Sequence, residues 1–282
     1  MSKLQVPIIA ATLATVLACF VGIFQIPTFT DLGETISSVW SGFTNSLISP
    51  AAFTCDPHTY TIELISIDPL IIYIHDFVTD SEISHLLSLG ASSFAPSLLT
   101  SNTGAKRQSQ YRTSHSARLP ADAPVVQCVL DRARGFMGSL LDVPLDDFQP
   151  PQLVRYAEGQ QFKVHADWFD VPQARQPDAA AGTGGAAWNR PASFLAVLED
   201  DCTAGETWFP SLPVPEGSRD KRRVWRAHED GGLAFPPVKG NALFWVNLFA
   251  NGTGDDRTRH AGLPPTSGMK TAMNIWPRKY YP

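Results

Sequence analysis

Apolar positions along most of the chain come in short alternating stretches or short unbroken runs, and only two segments carry a helical period. Residues 60–68 and 70–75 are rich in β-branched side chains and predict a pair of strands. Thr79, Asp80, Ser81 and Glu82 follow with the spacing of a capping box. Ile83, Leu86 and Leu87 then share one helical face, with Gly90 as the expected stop. A second helix is expected over about 123–139, with Asp122 as N-cap, Pro124 in the first turn and Val126, Val129, Leu130, Ala133 and Met137 at helical spacing. Beyond it the pattern predicts short strands near 153–164, 193–198, 206–209, 233–235, 242–246 and 271–276. Turn signals between them point to an antiparallel double sheet. The expected class is mainly β with flanking helices.

The first thirty residues break this pattern. Leu4 to Thr30 carry no charge, and 7–24 is apolar but for two threonines, about the length that crosses a bilayer as a helix. Lys3 precedes the segment, and Asp31 and Glu34 follow it, so an anchor here would place the rest of the chain in the lumen of the endoplasmic reticulum or Golgi. Cleavage as a signal peptide near Ala18 or Gly22, giving a secreted chain, is the alternative. The expected division is an anchor over 1–30, a Ser- and Thr-rich stem over 31–57 and one domain over 58–282. The triplet at Asn251, Gly252 and Thr253 is a glycosylation sequon, consistent with that compartment. Cys55, Cys128 and Cys202 lie beyond the apolar segment and allow one disulfide, the pair undetermined; Cys128, on the second helix, is also readable as a buried thiol. A net charge of -5 offers no basic footprint for nucleic acid.

Two stretches read as insertions. Residues 172–189 are rich in Ala, Gly and Pro and form either a lid over a substrate or a loop without a role. Residues 216–231 carry Arg219, Lys221, Arg222, Arg223 and Arg226 and read as a solvated hairpin or a site for an acidic partner.

The chemistry centres on His165 and Asp167. Two apart on an expected strand, they leave the same face, so an imidazole and a carboxylate converge. His260 is the candidate third ligand, which would complete the two-histidine, one-carboxylate set that suits non-haem Fe(II) and leaves positions open. Lys270 lies on an alternating segment, where its ammonium suits a carboxylate at the end of an apolar pocket.

Taken in order, Tyr156, Gly159, Gln160, His165 and Asp167, then 205–210, then 237–244, then His260, Ala261 and Gly262, then Lys270, resemble the prolyl 4-hydroxylase branch of the 2-oxoglutarate- and Fe(II)-dependent dioxygenases across about residues 65–278. The resemblance implies a double-stranded β-helix (jelly-roll) core. It implies iron bound by His165, Asp167 and His260, and 2-oxoglutarate held at its far carboxylate by Lys270 and lined by Tyr156, Thr207 and Trp276. It further implies ascorbate as a supporting reductant and a proline-containing peptide as substrate, with Arg112 and Arg190 as weaker substrate contacts. Succinate and CO2 would be the co-products. The compact layout resembles the membrane-anchored plant and algal members.

Overall fold

The computed structural model describes residues 53–100, 106–138, 140, 147–174, 187–214 and 224–281. The expected anchor and stem up to residue 52, most of the 172–189 loop, and Arg219, Lys221, Arg222 and Arg223 lie outside the described residues. Among the described residues no helix is long and apolar enough to cross a membrane.

Two antiparallel sheets face one another. The larger runs in the order Thr61–Ile67, Leu70–His75, Ala242–Val246, Ala192–Ala204, Pro265–Ile275, Gln152–Ala157, His115–Arg118, Ala95–Pro96. The smaller runs Arg226–Ala227, Leu233–Phe235, Thr207–Phe209, His260–Gly262, Phe162–His165. A third sheet of Lys279–Tyr281, Ala187–Asn189 and Gln173–Ala174 stands apart from both.

The larger sheet is covered on both faces, and period-two alternation divides its side chains between two cores. Ile72, Ile74, Phe194, Ala196, Phe244 and Met273 face the two helices, where Leu86, Val126, Val129 and Phe136 meet them. Ile71, Tyr73, Val154, Tyr156, Leu195, Leu243 and Trp245 face the smaller sheet and pack on Phe209, Leu233 and Phe235. Burial on both faces is why 70–74 and 242–246 read as unbroken apolar runs.

The helices are Asp80–Gly90 and Pro124–Met137. The first has the expected box: Thr79 Oγ1 accepts from Glu82 N, and a Glu82 carboxylate oxygen accepts from Thr79 N. Gly90 does not end it as a left-handed cap, since its φ is -85° and the chain continues into a 3-10 turn. Gly90 serves packing instead, because a Cβ there would lie 2.4 Å from Leu153 Cδ1. The second helix is capped at Ala123 without a side-chain bond; Asp122 is not its N-cap, and Pro124 at the first turn sets the start. Cys55 and Cys128 form a disulfide that ties the start of the described chain to this helix, while Cys202 is free. Cys128 is therefore a bonded cysteine and not a simply buried thiol.

Strand bounds differ where the sheets curve. The expected 193–198 strand extends over Ala192–Ala204 and pairs along Pro265–Ile275, with a register shift between Val197 and Glu199. Such a bulge bends a long strand so that it can serve a curved sheet. The expected 153–164 strand is two: Gln152–Ala157 belongs to the larger sheet and Phe162–His165 to the smaller. Between them Gly159 takes φ 72°, where a side chain would be strained. That crossing sets Tyr156 on one wall and His165 on the other.

Candidate metal and co-substrate site

His165 ends its strand directly opposite His260 in the smaller sheet, so one cross-strand pair delivers both imidazoles. Asp167 lies just past the strand end, not on it, and its carboxylate turns back between them. Nε2 of His165 is 3.9 Å from Asp167 Oδ1, and Nε2 of His260 is 3.9 Å from Asp167 Oδ2. One donor atom from each of the three residues lies within 4.8 Å of the others, so this set could hold one metal ion.

The tautomers suit a metal. His165 Nδ1 is 2.8 Å from the Lys163 carbonyl and His260 Nδ1 is 3.1 Å from that of Thr258. A carbonyl only accepts, so each Nδ1 carries the proton and each Nε2 presents its lone pair. Burial, with His260 beside it, pushes His165 well below the usual imidazole range, and burial lowers His260 too. Burial alone would raise the Asp167 carboxyl, but His260, His165, Arg190 and the Ser193 hydroxyl outweigh it and hold it at about 2. The site therefore offers two neutral imidazoles and one carboxylate at neutral pH, a donor set that fits Fe(II).

Asp167 is held by donors that sequence reasoning missed. Its Oδ2 accepts from Ser193 Oγ at 2.7 Å and from Trp276 Nε1 at 2.9 Å, and Asn247 Nδ2 donates to Ser193 Oγ at 2.9 Å. The only sequence signal for them is a lone hydroxyl, Ser193, in the apolar run 192–198 and an amide, Asn247, after the run 242–246, and neither points to Asp167. Trp276 lines the same cleft, but its indole N–H is spent on Asp167.

Lys270 is 2% exposed, on the larger sheet opposite Tyr156. Its Nζ donates to the Gly205 carbonyl at 2.8 Å and to Thr207 Oγ1 at 3.2 Å. Burial pushes its ammonium down to about 8. Tyr156 is buried beside it, and burial raises its phenol, which stays a protonated donor. A Cβ at position 262 would come within 3.0 Å of the Tyr156 hydroxyl, so a glycine there leaves that hydroxyl its space.

These groups share a cleft of about 770 Å3 lined by His165, Asp167, His260, Tyr156, Thr207, Lys270 and Trp276. Arg112 and Arg190 also line it. Arg112 sits 4.7 Å over Phe162, whose ring is stacked on His165, and donates to Gln152 Oε1 at 3.1 Å. The Arg190 guanidinium lies 3.8 Å from the Trp276 ring centre and donates to the Asp167 carbonyl at 3.1 Å and to Gln149 Oε1 at 2.9 Å. Every residue predicted for metal, co-substrate or substrate is thus brought to one cleft; Asn251 is separate, exposed on a turn where its Oδ1 accepts from Thr253 Oγ1.

Residues 151–278 match the 2OG-Fe(II) oxygenase superfamily. The chain is 34% identical over 212 residues to prolyl 4-hydroxylase subunit alpha-1 of Rattus norvegicus and of Homo sapiens, covering 74% of this chain and 34% of those proteins. It is 31% identical over 224 residues to subunit alpha-3 of Rattus norvegicus, covering 77% of this chain and 35% of that one. The chain therefore spans about a third of the length of these relatives. In fold it resembles the viral collagen prolyl hydroxylase of Paramecium bursaria Chlorella virus-1, solved with 2-oxoglutarate. The TM-score is 0.50 at 22% identity, over 80% of this chain and 99% of that one. The fold, the His-Asp-His set and these likenesses together mark residues 151–278 as a 2OG-Fe(II) oxygenase domain, in a chain whose sequence resembles prolyl 4-hydroxylase alpha subunits.

Proposed function

We propose that the chain hydroxylates proline in a peptide or protein, using Fe(II) and 2-oxoglutarate. The observation that carries this reading is the pairing, in one cleft, of a three-residue metal site with a buried lysine on the opposite sheet. The relatives it resembles in sequence are prolyl 4-hydroxylase subunits, which supports proline as the target.

His165, Asp167 and His260 would hold the metal. Fe(II) with 2-oxoglutarate supplies oxidative decarboxylation to succinate and CO2 and the delivery of one oxygen atom to an unactivated carbon. The protein's own part is orientation. Lys270 would pair with the far carboxylate of 2-oxoglutarate, exchanging its two neutral acceptors for a charged one. Thr207 and the Tyr156 hydroxyl would complete that end, while Ser193 and Trp276 keep the Asp167 carboxylate from rotating. Arg190 and Arg112 line the same cleft and would border a bound peptide.

A secretory compartment is part of the proposal, supported by the Cys55–Cys128 disulfide, the exposed Asn251 sequon and the uncharged 4–30 segment. Ascorbate as a reductant belongs to the same reading. Incubation of the full chain with 18O2, Fe(II), 2-oxoglutarate and proline peptides tests it. One 18O atom on proline, with stoichiometric succinate, is expected; label on another residue would displace the proline assignment.

A further inference from the structure

The cleft carries more positive charge than the proposed chemistry uses. Besides Lys270, four arginines line it: Arg112, Arg118, Arg190 and Arg278. Of these four, only Arg278 has an ion-pair partner among the described carboxylates, Asp147 at 3.0 Å. The polar partners of Arg112 are Ser114 and Gln152, and those of Arg190 are a backbone carbonyl and Gln149, all neutral. Arg118 is exposed, at the end of strand His115–Arg118 and opposite Gln152, and no salt bridge joins it to any described carboxylate. Of the two carboxylates lining the cleft, Asp167 belongs to the metal set and Asp170 is exposed.

Arg112 donates to Gln152 and Arg118 pairs with that residue in register, while Arg190 and Arg278 line the same cleft. A chain of net charge -5 thus places five cationic side chains in one cleft. Such an arrangement is repulsive until an anion enters, and it raises the local concentration of anionic ligands.

The dianion 2-oxoglutarate would answer Lys270 and the metal, which leaves the arginines of the cleft, of which Arg118 is exposed. We propose that this cleft takes a peptide bearing a carboxylate side chain beside the oxidised residue, with Arg118 as a specificity-determining contact. The proposal rests on the peptide hydroxylase reading above. The register places Arg118 across from Gln152, whose side chain accepts from Arg112, so a carboxylate at Arg118 lies beside a second guanidinium held at the same glutamine.

Fluorescence anisotropy with the full chain, in saturating 2-oxoglutarate with oxygen excluded, tests this. The probes are three labelled peptides with Glu-Pro-Glu, Gln-Pro-Gln or Lys-Pro-Lys at the centre. Charge complementarity of exposed groups predicts that the glutamate peptide binds roughly tenfold more tightly than the lysine peptide at low salt, with glutamine between. The margin should shrink in about 0.5 M salt, which screens exposed charges. Arg118→Lys should keep the order and Arg118→Glu should level or invert it. Equal binding of the three peptides, no binding by any, or an unchanged order in Arg118→Glu would overturn the proposal. So would loss of the glutamate preference on adding free succinate, which would assign the arginines to a small carboxylate. Because binding is read, a preserved glutamate preference without oxygen on proline would refute the proline assignment and leave this subsite standing.

Discussion

Trp276 Nε1 donates to Asp167 Oδ2 at 2.9 Å across 109 residues of sequence. The last strand region thereby fixes the carboxylate that the first ligand segment supplies. With Ser193 on the same oxygen, one Asp167 oxygen has two donors and Oδ1 has none among the described bonds. A carboxylate so held presents one oxygen to a metal without paying rotational entropy on binding.

Removing these donors should weaken the metal site while the fold survives. Trp276→Phe and Ser193→Ala are each expected to lower iron affinity by roughly 10- to 100-fold, the usual effect of losing a partner behind a metal ligand. An iron titration of activity reads this, with saturating iron restoring most of the rate. Unchanged iron dependence in both variants would show that Asp167 needs neither donor.

Lys270 gives the pH dependence. Burial lowers its ammonium to about 8, below the ordinary 10.5, so above pH 8 the free protein holds a neutral amine. Pairing with a carboxylate requires the ammonium, so binding of 2-oxoglutarate above that pH takes up a proton. The Kd for 2-oxoglutarate should be flat below pH 8 and rise about tenfold per pH unit above it, until the raised pKa of the complex is reached. Isothermal titration in buffers of different ionisation heat reads both the Kd and the proton. In the same window the unfolded chain binds the extra proton, so this residue alone makes stability rise between pH 8 and 10.5.

The Cys55–Cys128 bridge closes a span of 73 residues. Its loss should cost up to about 4 kcal/mol by the loop-closure account. Cys55→Ser should therefore lower the midpoint of thermal unfolding, and reductant should lower the wild type to match it. Cys202→Ser should leave the midpoint nearly in place, since that thiol is free.

Arg132 and Glu82 form a buried ion pair between the two helices, with side chains 8% and 4% exposed. Glu82 also accepts from the Thr79 backbone, so Arg132→Met strands a carboxylate that caps the first helix. The expected loss is about 3–5 kcal/mol in urea unfolding. Glu82→Gln with Arg132→Met together should cost less than Arg132→Met alone.

Much of this site was legible in the sequence because its chemistry is carried by uncommon residues in fixed order. His260 and Lys270 stand out as polar groups on strands, His165 and Asp167 as a closely spaced pair, and Thr79 and Glu82 as a cap with local spacing. What was not legible depends on chain direction through space. The 153–164 run has strand residues throughout, and only the turn at Gly159 divides it between two sheets. Gly90 reads as a stop because a glycine's role in packing against Leu153 depends on a long-range contact. Ser193, Asn247 and Gln149 are ordinary residues whose importance comes from the neighbour that the fold assigns them. The pairing of Cys55 with Cys128 likewise depends on where the second helix lies.

His165, Asp167 and His260 together would hold the metal on which turnover depends. Peptide-dependent succinate release by the full chain, measured side by side for wild type, His165→Ala, Asp167→Ala and His260→Ala, decides this. Turnover is expected in the wild type and its loss in all three variants, each still folded by circular dichroism. Turnover at the wild-type rate in any one of them would contradict it.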